Sequence, residues 1–355
     1  MLALLTDEQA MLEEMATQLA ASVGLSHPSD LHKVDRAKGW AGLAEAGLLG
    51  LRARDAEGRP TASGVEVMLV ARALGAVLAP LPYVGSAVLA VELLSLAGAP
   101  DPWLAGLVAG ETRHALLLNR DLTALADIGG PGSAPASASG EDVLAWDADG
   151  ASHALALSGS QVVRVTLGDR WQPVESADLS RVLLATGSAV EAADVEQAGS
   201  PLSPQALDRW LALALTMLSA DAVGAMRHGL EQVVDYTKER VQYGVPVGSF
   251  QAVQHLCAEA LVAVEGADSA VKYAAWAVDE LQPAEALLAA RTAKAYCAQT
   301  SRTVPETIMQ VYGGIGQTWE HIAHFVNRRT MLDRQLLGDD GVQLSEIAAA
   351  RLGGR

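Results

Sequence analysis

Two segments of the 355-residue chain carry more residue-specific chemistry than core packing requires. The first, Lys238 to His255, reads KERVQYGVPVGSFQAVQH and places a cation, amides and an aromatic in a Gly/Pro-containing connection between two apolar stretches. Arg240 offers a planar fork of donors suited to a diphosphate. Gln251 and Gln254 fall in the first turn of the next expected helix, where backbone N–H groups without carbonyl partners also favour anions. The same residues equally describe a helix-to-helix loop with a capping arginine and solvated amides.

The second segment, Gln310 to Arg329, reads QVYGGIGQTWEHIAHFVNRR. Gly313, Gly314 and Gly316 permit close backbone approach to a ligand. Glu320 stands beside Trp319, and a carboxylate desolvated against an indole has its pKa raised toward that of a useful general base. The alternative is that Thr318 caps a helix whose dipole Glu320 complements. His321 and His324, one turn apart on that helix, could share a metal, but the HExxH arrangement is absent and no metal site is expected.

The elements that must position these groups are read from pattern. Near the start, Met11, Leu12, Met15 and Leu19 recur at helical steps behind Thr6 and Gln9, which have the form of a capping box. Trp40 to Leu51 and Val65 to Ala79 give two further helices, the latter stopped by Pro80 and Pro82. Between Glu111 and Ser200 the character changes. GGPGSAPASASG, Gly129 to Gly140, reads as a small-residue connector, and the runs VLAW, HALAL, QVVRVTL and RVLLAT alternate with DADG, SGS and LGD turns as antiparallel strands do. From Pro204 helices return: Asp221 to Glu239, Gln251 to Leu281, Pro283 to Thr300, and Thr303 to Val311, this last with Pro305 at its start and Gly313 and Gly314 past its end. The expected fold is mostly α with a small β-domain: an N-terminal helical domain (1–110), a middle antiparallel β-domain (111–202) and a C-terminal helical bundle (203–355).

Composition narrows the function. With 25 basic and 42 acidic residues the net charge is -17, which argues against a nucleic-acid partner. The chain is 50% hydrophobic and only 4% aromatic, so its apolar mass is Ala, Leu and Val, suited to closely packed helices. Two cysteines, Cys257 and Cys297, support neither a disulfide framework nor a thiolate metal site and point to a reducing, cytoplasmic setting. MLALLTDEQA lacks the form of a signal peptide, and no run of about 20 apolar residues predicts a membrane span.

Taken together, the three-part layout and the wording of WAGLAEAGLLGL, ERVQYGVPVGSFQAVQH and QVYGGIGQTWEH resemble the acyl-CoA dehydrogenase family. ARALGAVLAPLPY is also similar to actinobacterial members. The resemblance implies FAD as cofactor and an acyl-CoA thioester as substrate, oxidised to the trans-2-enoyl thioester by α-proton removal and hydride transfer to the flavin. It implies that Arg240 and Gln251 hold the FAD pyrophosphate, that Gln310, Gly313 and Gly314 close over the adenosine side, and that these groups reach a flavin bound mainly by a neighbouring subunit. Glu320 then matches the catalytic base of many members. Others carry it on the helix before RVQYG, where Ala214, Leu215 and Thr216 here offer no carboxylate.

The middle segment departs from the family. Its usual Thr-Glu-Pro and Gly-Ser-Asp pattern, which holds the isoalloxazine ring and the thioester, is absent, and GGPGSAPASASG and SADLS are poor substitutes. The resemblance therefore implies one subunit of a heteromeric (α2β2) enzyme whose second acyl-CoA dehydrogenase-like chain supplies the ring-binding half. Such members act on steroid-derived or other bulky CoA thioesters, with electron-transfer flavoprotein as acceptor. A self-sufficient homo-oligomer using Glu320, and a non-catalytic scaffold subunit, remain the alternatives.

Overall fold

A computed structural model describes residues 4–129, 143–187 and 190–353. The connector from Gly129 to Gly140 lies, beyond its first residue, outside the described residues.

The chain begins with helices. In α1 (Asp7–Ala21) the Thr6 hydroxyl accepts from the Gln9 N–H at 3.2 Å while the Gln9 side chain accepts from the Thr6 N–H at 3.1 Å, the reciprocal box its spacing predicts. The Trp40 to Leu51 stretch divides at Gly47, whose φ of 74° ends α2 (Arg36–Glu45) and starts a short 3-10 turn. α3 (Gly64–Ala76) is opened by a second capping box, Ser63 with Glu66. A π-helical stretch, Tyr83–Ala90, then runs directly into α4 (Val91–Ala97), and α5 (Asp101–Val108) follows.

Seven strands come next: β1 (His114–Asn119), β2 (Val143–Trp146), β3 (His153–Ser158), β4 (Gln161–Thr166), β5 (Trp171–Pro173), β6 (Leu183–Thr186) and β7 (Val195–Ala198). The four expected runs are β2, β3, β4 and β6; β1, β5 and β7 were not foreseen. The strands form one sheet in the order β5-β6-β2-β1-β3-β4-β7, antiparallel at every pairing except β1 with β3. Alternation gives it two apolar faces. Leu116, Leu118, Leu155 and Val162 join the main core beneath the helices, while Ala115, Leu117, Ala145, Ala154, Val163 and Val165 build a smaller core on the other side.

The C-terminal third holds α6 (Pro204–Glu239), a two-strand hairpin of β8 (Val241–Gln242) and β9 (Val245–Pro246), α7 (Gln251–Glu280), α8 (Pro283–Tyr312), α9 (Ala323–Gln335) and α10 (Asp340–Leu352). α6 is buried through its middle and crosses α3 at two glycines. A methyl added at Gly224 would sit 2.1 Å from the Arg72 carbonyl, and one at Gly75 2.3 Å from that of Asp221. This close approach brings Asp221 against the first helical segment.

The break expected before Pro305 does not occur. α8 runs unbroken through it, because the Thr330 hydroxyl on α9 lies 3.3 Å from the Ser301 carbonyl that the proline ring leaves without an N–H partner. Among the described residues no helix is long and apolar enough to cross a membrane.

Candidate functional site

Arg240 caps the C-terminal end of α6. Its backbone N–H donates to the Tyr236 carbonyl at 2.9 Å and its carbonyl accepts from the Val247 N–H at 2.7 Å, which ties the β8–β9 hairpin back onto the helix. The guanidinium is exposed and has no partner among the described residues. Gln251 is the first residue of α7 and equally exposed. Phe250 caps that helix without a side-chain hydrogen bond; the Val253 and Gln254 N–H groups donate to its carbonyl, and among the described residues those of Gln251 and Ala252 stay open to an anion. Gln254 instead donates to the Gly248 carbonyl at 2.9 Å and braces the loop.

Gln310 is exposed in the last turn of α8, and its amide has no partner among the described residues. Gly313, with φ of 69°, ends the helix. A methyl at Gly313 or Gly314 would meet nothing within 4 Å, so no neighbour in this chain requires their smallness. The rings of Tyr236 and Tyr312 pack in a tilted arrangement, 52° between planes, with centroids 5.0 Å apart. This contact brings the Arg240 and Gln310 segments, 70 residues apart in sequence, to one end of the helical bundle.

Glu320 does not meet the condition set for a base. It is exposed, Trp319 is itself 61% exposed, and the indole stacks on His324 at 4.9 Å, so nothing desolvates the carboxylate. Thr318 does not N-cap α9, which starts five residues later; it ends the 3-10 turn Gly313–Gln317, and its hydroxyl donates to the Ile315 carbonyl. His321 precedes α9 and accepts from the Ala323 N–H, whereas His324 bonds the Trp319 carbonyl at 3.0 Å. Among the described residues no group of three or more His, Cys, Asp or Glu could hold a metal.

A second constellation was not foreseen. Where β2, the segment before β6, α6 and α9 converge, Asp147, Arg181, Asp221 and Arg329 are all buried. Arg181 Nη1 donates to both Asp147 oxygens at 2.7 Å, and its Nη2 reaches Asp221 at 3.1 Å. Arg329 donates to Asp221 through Nε at 2.6 Å and Nη2 at 2.9 Å, and through Nη1 to the Ser180 hydroxyl at 2.8 Å. SADLS thus has a structural role. Asp178 accepts from the Ser180 N–H and hydroxyl, fixing the turn that delivers Ser180 and Arg181. Burial alone would raise the Asp221 pKa, but Arg329 and Arg181 hold it well below the usual carboxylate range. Burial and the adjacent Asp221 push the Asp333 carboxyl the other way, well above the usual carboxylate range. The signal available in sequence was Asp221 itself, a lone acid inside the apolar run LALALTMLSADAVGAM, which cannot be buried there without a cationic partner.

Residues 206–352 match the model of the C-terminal domain of acyl-CoA dehydrogenases. The chain is 41% identical to the acyl-CoA dehydrogenase FadE34 of Mycobacterium tuberculosis over 39% of its own length, a match spanning only 19% of that protein. With the acyl-CoA dehydrogenase IpdE2 of the same organism it shares 30% identity over 77% of its own length and 73% of the relative. The chain belongs to the acyl-CoA dehydrogenase family. Its fold is that of solved acyl-CoA dehydrogenase structures. The Tcur3481-Tcur3483 steroid ACAD superposes with a TM-score of 0.80 at 23% identity, covering 98% of each chain. The ChsE4-ChsE5 complex of M. tuberculosis gives 0.77 at 24% identity, covering 100% of each.

Acyl-CoA dehydrogenases of this family are FAD-dependent. In this member the donor set divides. Arg240, Gln251, Gln310 and the Gln251 and Ala252 N–H groups of α7 have the chemistry to hold a diphosphate, and the three side chains are exposed. The isoalloxazine ring does not fit. In place of hydroxyls and backbone donors lining a slot between sheet and helices, charged side chains from both sides are in direct contact.

Proposed function

We propose that this chain is one subunit of a heteromeric FAD-dependent acyl-CoA dehydrogenase, with domains at 1–110, 111–202 and 203–355, and that its role is to complete a flavin site held mainly by a related partner chain. The carrying observation is that Arg240, Gln251 and Gln310 are exposed, without side-chain partners among the described residues, at one end of the bundle, while paired ions join sheet and helices at their junction. Donors held rigidly by α6, α7 and α8 yet bonded to nothing are suited to an anion presented from outside. Gly313 and Gly314, whose added methyls would meet only open space, allow that ligand to approach the backbone closely.

The reaction is α,β-dehydrogenation of an acyl-CoA thioester, in which FAD supplies the two-electron oxidant. In this chain Arg240 and Gln251 bind the FAD pyrophosphate, and Gln310 with the Gly313–Gly314 backbone closes over the adenosine side. The catalytic base belongs to the partner, because a thioester α-proton is too weak an acid for a solvated carboxylate such as Glu320. A bulky, steroid-derived acyl group is the proposed substrate class, supported by the steroid ACAD among the structural neighbours. An electron-transfer flavoprotein is the proposed acceptor.

The test is the visible absorption spectrum of the chain purified alone and co-purified with an acyl-CoA dehydrogenase-like partner. A flavin spectrum only in the pair, bleached by a CoA thioester, is expected. A yellow, active homo-oligomer, or a pair without flavin, would overturn the proposal.

A further inference from the structure

Where a flavin ring would lie between the middle sheet and the C-terminal helices, the facing groups of this chain already bond one another. Asp147 at the end of β2 and Arg181 before β6 come from the sheet side; Asp221 on α6 and Arg329 on α9 come from the helix side. None of the four side chains is more than 3% exposed. The first helical segment closes the remaining side. Arg329 Nη1 lies 3.3 Å from the Ala79 carbonyl, Arg181 Nη1 3.4 Å from that of Leu81, and the Gly85 N–H donates to Asp147 at 2.8 Å. The loop after α9 is tied to the loop after β1: the Leu337 N–H donates to the Leu122 carbonyl at 2.6 Å. Both leucines hold left-handed backbone, φ 57° and 59°, a conformation that persists only where surrounding contacts impose it.

We infer that this ionic junction stands in the place of the flavin ring, so that the chain folds completely without flavin and contributes to flavin sites only from its outer face. The inference rests on the proposed function for the location of the ring. Its physical basis is separate. Opening the junction for a ring would strip two arginines and two aspartates of their partners inside a low-dielectric interior, a cost a neutral ring cannot offset with its few hydrogen bonds. Asp147 itself sits at φ 60°, held there by Arg181 and the Gly85 N–H.

Riboflavin, which carries the ring without the diphosphate, is the direct probe. Titrated with the isolated chain, its fluorescence should be unquenched and its visible bands unshifted at about 100 μM, and the melting temperature of the isolated chain should be unchanged at the same concentration. In the assembled enzyme, flavin released by denaturation and counted by absorbance should equal one per two acyl-CoA dehydrogenase-like chains. Stoichiometric quenching of riboflavin by the isolated chain, or one flavin per chain in the complex, would overturn the inference. An assembled pair lacking flavin altogether, with riboflavin still unbound by the isolated chain, would instead sink the proposed function and leave the closed junction standing.

Discussion

Arg329 and Asp221 meet through two near-parallel hydrogen bonds, Nε to Oδ2 at 2.6 Å and Nη2 to Oδ1 at 2.9 Å, with both side chains 1% exposed. The pair joins α9 to α6 across 108 residues of sequence, and Arg181 makes Asp221 its shared anion. A buried bidentate pair of this kind adds little net stability over an apolar contact, yet removing Arg329 leaves Asp221 with Arg181 alone as its cation, which Asp147 already shares.

Arg329→Met should therefore lower the unfolding free energy by up to about 3 to 5 kcal/mol, the usual cost of removing one partner of a buried ion pair, with Arg181 still beside Asp221. The double variant Asp221→Leu/Arg329→Met should lose clearly less than the sum of the two single changes. Urea denaturation of the four proteins decides this, and strict additivity would mean that the two residues do not act as a pair.

Arg240→Ala should leave the fold untouched, because the guanidinium has no partner among the described residues. In the assembled enzyme it should weaken flavin retention tenfold or more, since one charge-assisted contact to a diphosphate contributes about 1.5 to 3 kcal/mol. Flavin content after prolonged dialysis, with the melting temperature as control, measures both. Full retention would remove Arg240 from the flavin site.

Glu320→Gln should change turnover by less than about twofold, whereas loss of a true general base costs about 100-fold to 10,000-fold. Stopped-flow flavin bleaching of the assembled complex with a CoA thioester compares the two proteins directly. Abolished bleaching with flavin retained would restore Glu320 as the base.

His114 gives stability a definite pH dependence. It lies buried at the start of β1, its ring 5.3 Å from His153, with neither ring nitrogen hydrogen-bonded. Burial, then the neighbouring His153 and Arg164, pushes its pKa down from 6.5 to about 3. Between these values the unfolded chain binds a proton that the folded chain refuses, so this contribution is fully present above about pH 6.5 and is lost as pH falls toward 3, at roughly 1.4 kcal/mol per unit. His114→Leu should flatten that slope, giving a smaller loss of melting temperature from pH 7 to pH 5 than the wild type shows. Parallel slopes would place the acid sensitivity elsewhere.

The sequence by itself determined what local pattern and local chemistry determine. Thr6 and Gln9 could be paired on sight because a capping box spans three residues, and β2, β3, β4 and β6 could be marked because strand alternation and turn residues are neighbours in the chain. ERVQYGVPVGSFQAVQH and QVYGGIGQTWEH carried the family for a similar reason: residues that meet a ligand from a helix end stay contiguous. The tertiary structure decided whatever depends on partners far apart in sequence. α8 passes through Pro305 because Thr330, on another helix, lies against the freed carbonyl. Glu320 could not be told from a desolvated base until Trp319 was seen stacked on His324 and open to water. Asp147, Arg181 and Arg329 look like ordinary charges along the chain, and only Asp221, alone in its apolar run, stands out. Folding strips their water and brings them together from four distant segments, which is why the pairing had no legible sequence motif.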